Sequence, residues 1–218
     1  MNLAERLAAG TLVAADVGGV ELELSTLPLW RVYSQASGVT GFNRTGRGNA
    51  RFSPLRVSDG EVVPTMYAGT TLAVALMETV LHDLPSPSAG FILTLNPAVE
   101  TRRVAQLKLS GNVRLADFTA LGLRKLGLRR QDVIDCDKRA YPSTRKLAEW
   151  VYAKRPDLQG IWWTSRQDDR AQALALFEPR LPPGLLVAAS AEQRFDDGPH
   201  LAALADLVER LGASLFLD

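Results

Sequence analysis

The stretch MYAGTTLAVALMETVL, Met66 to Leu81, decides how the chain is read, because it is apolar on nearly every side and carries a single charge, Glu78. Gly69, Thr70 and Thr71 offer a turn and an N-cap hydroxyl, and Leu72, Leu76, Thr79 and Val80 then recur at helical spacing while Ala73, Val74 and Met77 fill the other faces. The pattern predicts a helix following this turn within the Met66 to Leu81 stretch, and a helix apolar all round is a buried one. Glu78 is therefore expected at or near the edge of the core. An ionised carboxylate there needs a cationic or hydrogen-bonding partner, or its pKa rises. Two readings follow: a structural glutamate paired with one of the 25 Lys and Arg residues, or a catalytic carboxylate presented by a rigid helix.

Upstream, LWRVYS (Leu29 to Ser34) alternates as a strand does, with Leu29, Arg31 and Tyr33 on one face and Trp30 and Val32 on the other. A long Gly-, Asn- and Ser-rich loop follows, holding Arg44, Arg47, Arg51 and Arg56. Four guanidiniums on a flexible backbone suit phosphate oxygens, although runs of charge are often only solvated surface. Val62 to Tyr67 reads as the strand that feeds the Glu78 helix. The first 28 residues contain a short amphipathic helix (Leu3 to Ala9), a strand-like VELEL and a loop ending at Pro28.

Downstream of a PSPSAG loop, FILTL (Phe91 to Leu95) and RRVAQLKL (Arg102 to Leu109) read as strands. An irregular helical insertion is expected over 117–137, and a clearer helix over Ser143 to Lys154, capped by Ser143 or Thr144, with Leu147, Trp150 and Val151 inward. GIWWTS (Gly160 to Ser165), ALALF (Ala173 to Phe177) and LLVAAS (Leu185 to Ser190) are further strands, and PHLAALADLVERL is a closing helix with Pro199 in its first turn. Strands and helices mix without regular βαβ alternation. The expected class is α+β, a mixed sheet core with flanking helices, divided as 1–28 (extension), 29–190 (main domain) and 191–218 (a helix packed on the same domain).

Composition narrows the function classes. The formal net charge of +1 gives no global pull toward nucleic acid or an anionic membrane, so neither is expected as a partner. No apolar run reaches the length of a membrane span, and acidic residues sit where a signal peptide would be uncharged, which points to the cytoplasm. One cysteine, Cys136, and two histidines, His82 and His200, argue against a disulfide framework and a metal site. No Gly-rich phosphate loop follows a strand, and Ser165 has no paired histidine for serine hydrolysis.

In order along the chain stand an arginine on an early strand, a Gly/Arg/Phe loop, YAGTTLAVALMET, and GIWWTSR followed by ALALF. This series resembles the RES-domain family, named for its Arg, Glu and Ser, over roughly residues 29–190. The resemblance implies an ADP-ribosyltransferase-like fold and the role of a toxin in a bacterial toxin-antitoxin module. By position Arg31 resembles the family arginine, Glu78 the glutamate and Ser165 the serine, while Arg51 and Tyr67 resemble further loop Arg and Tyr positions. Where the family often has Gly-Arg-Phe/Trp-Asn, this chain has Ala50-Arg51-Phe52-Ser53.

The resemblance implies NAD as substrate, cleaved at the nicotinamide-ribose bond by phosphorolysis or hydrolysis, with inorganic phosphate as second substrate in the first case and no metal. Alternatives are transfer of ADP-ribose to a protein, and a non-enzymatic nucleotide- or RNA-binding module. Glu78 is expected to stabilise the oxocarbenium-like centre. Arg31 and Arg51 would hold phosphate groups, with Tyr33 and Arg47 beside them; Tyr67 would stack on nicotinamide, and Ser165 would orient the ribose or Glu78. The implied partner is a cognate antitoxin with a helix-turn-helix region.

Overall fold

The computed structural model describes all residues except 23–26, 58, 83, 85–89, 96–100, 197 and 218, and the backbone alone at Leu95 and Leu217. Along the chain run α1 (Leu3–Ala8), β1 (Gly19–Leu22), β2 (Leu29–Ser34), β3 (Leu55–Arg56), β4 (Val62–Val63), β5 (Thr65–Gly69), α2 (Leu72–Met77) and β6 (Ile92–Leu95). Then come β7 (Arg102–Leu109), β8 (Val113–Asp117), α3 (Ala120–Lys125), α4 (Arg130–Val133), α5 (Tyr141–Lys154), β9 (Gly160–Thr164) and β10 (Gln172–Phe177). The chain closes with β11 (Leu186–Ala188), β12 (Gln193–Arg194), α6 (Gly198–Arg210) and β13 (Ser214–Leu217).

Nine of the described strands form one mixed sheet in the order β1-β8-β9-β10-β5-β2-β7-β11, with β12 also on β7. Its ladders are antiparallel except β8 on β9. The class is α+β, as expected. Alternation across the strands sorts the core by face: Trp163, Ala173, Ala175 and Phe177 join the cluster under α5 and α1, whereas Trp162, Leu174, Leu176, Leu29 and Leu107 pack together on the other face. A third cluster lies under α2 and α6, where Ala75, Leu76 and Met77 meet Val32, Val104, Leu204 and Leu207.

Several boundaries differ from the sequence expectation. The Val62 to Tyr67 strand is split at Pro64, which has no N–H to give to a ladder, into β4 and β5, and β4 pairs with the short β3 inside the expected loop. The helix expected after the Gly69–Thr71 turn is six residues, with Thr71 as N-cap and Glu78 as C-cap; the N–H groups of Thr79, Val80 and Leu81 all converge on the Leu76 carbonyl, ending the regular spiral. So short a helix does not hold itself together in water. Burial of Val74, Ala75, Leu76 and Met77 holds it, at about 1.5–3 kcal/mol for each large aliphatic chain fully covered. The β5–α2 approach is close enough to require glycine: a Cβ at Gly69 would stand 2.8 Å from the Ala75 backbone nitrogen.

The helix expected from Ser143 starts at Tyr141, with Ala140 as cap and Pro142 in its first turn. Thr144 is buried within it and donates to the carbonyls of Arg51, 2.5 Å, and Tyr141, 3.1 Å, instead of capping. The closing segment is not a helix alone: α6 is followed by β13, which runs parallel to β6. The first 28 residues are built into the domain, since β1 pairs with β8 and Leu3, Leu12 and Val17 belong to the main core cluster. The insertion over 117–137 holds α3 and α4. Most of the PSPSAG loop and the end of VELEL lie outside the described residues.

Candidate active site

Glu78 sits where α2 ends, half-buried, with φ −83° and ψ −6°. Its Oε1 accepts a hydrogen bond from Ser165 Oγ at 3.1 Å and a longer one from the indole Nε1 of Trp163 at 3.4 Å. Both donors come from the end of β9, which the sheet order holds two strands from β5, the strand that leads into α2. Burial raises the Glu78 pKa above the usual carboxylate value; the nearby Arg51 charge, the Ser165 and Trp163 bonds and His82 pull the other way. Both hydrogen bonds fall on Oε1, which leaves Oε2 without one from the described residues.

The carboxylate opens onto a cleft of about 510 Å³, within the range of small-molecule sites. Arg31 and Tyr33 of β2, Arg47 of the long loop, Tyr67 of β5, and His82 and Arg102 also line it. Glu78 is the sole carboxylate among these lining residues, so the charged lining of the cleft is cationic apart from this one group.

Arg31 is 5% exposed and wired into the loop that follows its strand. Its Nη1 donates to the carbonyls of Gly38 at 3.1 Å and Val39 at 2.5 Å, and Nη2 to Gly41 at 2.5 Å. Gly38, with φ +70°, turns the chain so that these carbonyls converge, and a Cβ at Gly41 would overlap the Ser37 oxygen at 1.7 Å. Burial lowers the Arg31 pKa to about 10, partly offset by Tyr33, whose ring lies 4.8 Å beneath the guanidinium. The Tyr33 hydroxyl donates to Glu192 Oε2 at 2.5 Å, and burial and that bond raise its pKa.

Tyr67 turns its ring edge-on to Trp163, centroids 5.9 Å apart, and its hydroxyl accepts from the Phe52 N–H at 3.0 Å. Burial pushes its pKa to about 12, although bonds from Ser53 and Phe52 oppose this. Ser165 is fully buried, so its hydroxyl meets the carboxylate and not the solvent; its carbonyl accepts from Arg130 Nη2 at 2.7 Å.

The four loop arginines part company. Arg51 is 6% exposed and sits behind the cleft wall, donating through Nη1 to the Val133 carbonyl at 3.1 Å and Cys136 Sγ at 3.2 Å, with its guanidinium 5.1 Å from the Tyr141 ring centre. Arg44 pairs with Glu178, and Arg56 Nη1 bonds the Gly60 carbonyl at 2.8 Å. Neither lines the cleft, which takes only Arg47 from this group.

Of the residues singled out in the sequence, Arg31, Tyr33, Arg47, Tyr67 and Glu78 line one cleft, Ser165 stands directly behind Glu78, and Arg51 lies a layer further in. Sequence reasoning does not reach Trp163, His82 and Arg102 as site residues. Trp163 carries a signal in the paired tryptophans of GIWWTS, one of which must face each side of a strand. Among the described residues no group of three or more His, Cys, Asp or Glu side chains is placed to hold a metal, and no helix is long and apolar enough to cross a membrane.

The family model described as RES domain matches residues 28–198. Among solved structures, the fold is similar to that in the crystal structure of the M. tuberculosis MbcT-MbcA toxin-antitoxin complex, with a TM-score of 0.55 and 16% identity over 88% of this chain and 91% of that chain. No curated protein matches the chain.

Proposed function

Because the chain belongs to the RES-domain family, we propose that it is a toxin-type enzyme that cleaves the nicotinamide-ribose bond of NAD at this cleft, by phosphorolysis or hydrolysis. The observation that carries the reading is the carboxylate of Glu78, fixed through one oxygen by Ser165 and Trp163 in a cleft whose other charged lining groups are cationic.

The chemistry suits that arrangement. As nicotinamide leaves with the bonding electrons, positive charge grows on the ribose, and a preorganised carboxylate nearby lowers the energy of that state. Ser165 and Trp163 keep Glu78 in one orientation, so little reorganisation is needed when the charge appears. Tyr67, with its ring against Trp163, offers a face to an aromatic leaving group. Arg31 closes the wall by holding the 38–41 segment. The similar fold from M. tuberculosis is that of a toxin-antitoxin complex. We infer that this chain too has a protein antitoxin, with a helix-turn-helix region, that blocks its cleft.

Incubation with labelled NAD, with and without phosphate and with and without cell lysate, tests the reading. Free nicotinamide together with ADP-ribose 1″-phosphate marks phosphorolysis, and free ADP-ribose marks hydrolysis. Label fixed on protein marks ADP-ribosyl transfer. Intact NAD in every arm rejects the proposal.

A further inference from the structure

Two guanidiniums on the cleft, those of Arg102 and Arg47, have no hydrogen bond or ion pair from the described residues, whereas Arg31, Arg44, Arg51 and Arg56 each have one. Arg102 is the more telling. It is half-buried, and burial lowers its pKa. A cation partly withdrawn from water without a partner costs free energy that a ligand anion would recover. Its neighbour Arg103 shows the ordinary outcome, bonded to Gln35 and 3.6 Å from Glu192.

Position in the sheet explains why Arg102 faces the site. At the first residue of β7 it stands in register with Ser34, and Val104 with Val32, so Arg102 shares the sheet face of Val32 and Val104. That face is the one covered by α2, the helix that ends at Glu78. Arg47 enters from the loop, its backbone pinned by Asn43 Nδ2 to the Arg47 carbonyl at 2.9 Å and by the Arg47 N–H to Thr45 Oγ1 at 3.1 Å, which leaves the side chain free above a fixed turn.

We propose that Arg102, with Arg47, is the anion-binding arm of this cleft, gripping phosphate oxygens of the ligand whose ribose faces Glu78. The ligand's identity as a dinucleotide rests on the function proposed above; the arm itself rests on the two unpartnered guanidiniums. A planar guanidinium can bond two phosphate oxygens at once, and two of them match the doubly charged pyrophosphate. Arg51, the loop arginine expected in this role, lies behind the wall, where its Nη1 bonds the Val133 carbonyl and Cys136 Sγ while its Nε has no partner among the described residues.

Calorimetry with ADP-ribose, inorganic phosphate and adenosine, on wild type and on Arg102→Gln, Arg102→Lys, Arg47→Ala and Arg44→Ala, tests the arm. Arg102→Gln should weaken ADP-ribose binding by about tenfold to a hundredfold, the loss of a charge-assisted contact, and leave adenosine binding unchanged. Lysine should recover part of the loss, Arg47→Ala should weaken binding less, and Arg44→Ala should bind as wild type does. If only inorganic phosphate is weakened, the arm stands and serves a free phosphate. Wild-type affinity for both anions in Arg102→Gln, or no binding of either anion by wild type, overturns it. If wild type binds ADP-ribose through Arg102 yet leaves NAD intact, the arm survives and the proposed reaction fails. Melting curves for each variant, with Arg102→Lys as the milder change, separate lost affinity from lost fold.

Discussion

Ser165 Oγ donates to Glu78 Oε1 across 3.1 Å, joining the end of β9 to the end of α2 through two side chains 87 positions apart in the chain. The serine hydroxyl is fully buried, and Gln167 N–H donates to it in turn at 3.3 Å, so its proton is committed to the carboxylate. In the proposed reaction this geometry suits Ser165 to act through Glu78, as a positioning residue and not a nucleophile.

Replacing Ser165 with alanine should lower the rate of NAD cleavage and move the acid limb of the pH-rate profile upward. The hydroxyl favours the ionised carboxylate, so its loss raises a pKa that burial has already raised. A profile displaced to higher pH supports the assignment. A uniform rate loss at unchanged shape would assign Ser165 to packing.

Glu78→Gln should stabilise the protein at neutral pH. Because the folded carboxyl has a pKa above the ordinary 4.5, its contribution to stability is fully present below that value and is lost as pH rises through the folded pKa. Glutamine never ionises and keeps an oxygen for Ser165. The melting temperature of Glu78→Gln should exceed that of wild type at pH 7, and the gap should close as pH falls toward about 4, where the free carboxyl is itself protonated. A gap that widens on acidification would show that the carboxylate is favourably paired in the folded state.

Trp163→Phe should separate chemistry from packing. The ring contacts with Phe52 at 5.0 Å and Tyr67 at 5.9 Å would largely persist, while the indole N–H to Glu78 disappears. Activity is expected to fall with little change in denaturation midpoint, whereas Trp163→Ala should cost about 3–5 kcal/mol of stability. Equal activity in wild type and Trp163→Phe would remove the indole from the site.

Arg31→Ala should lower stability by about 1–3 kcal/mol, because the carbonyls of Gly38, Val39 and Gly41 lose their donor. Urea denaturation measures this directly. The sequence leads one to expect that this arginine holds phosphate, and its bonds to the loop give it a structural task in the same wall. Unchanged stability would return Arg31 to ligand binding.

What is legible in the sequence follows from the range over which each feature is determined. The lone charge in MYAGTTLAVALMETVL marks Glu78, and alternation places β2, β7, β9 and β10, since those signals are local. The end of α2 at Met77 is not legible, because a helix of that length stops where packing against β2 and α6 stops supporting it. Nor is β13, whose four residues become a strand only by pairing with β6, where Ser214 stands opposite Ile92. The loop arginines look alike in sequence, yet Arg44 goes to Glu178, Arg51 to Val133 and Cys136, and Arg47 to the cleft. Arg102 stands in a strand pattern among other basic residues, and only the register with Ser34 shows that it faces the site.

Whether the carboxylate held by Ser165 and Trp163 cleaves NAD is decided by the initial rate of nicotinamide release from NAD by purified wild type and by Glu78→Gln, with both confirmed as folded by circular dichroism. Wild type should release nicotinamide, and the variant should be slower by about a hundredfold to a thousandfold or more, the typical loss on removing a preorganised electrostatic group. Release by Glu78→Gln at the wild-type rate would contradict the assignment of Glu78 as the group that acts on the ribose.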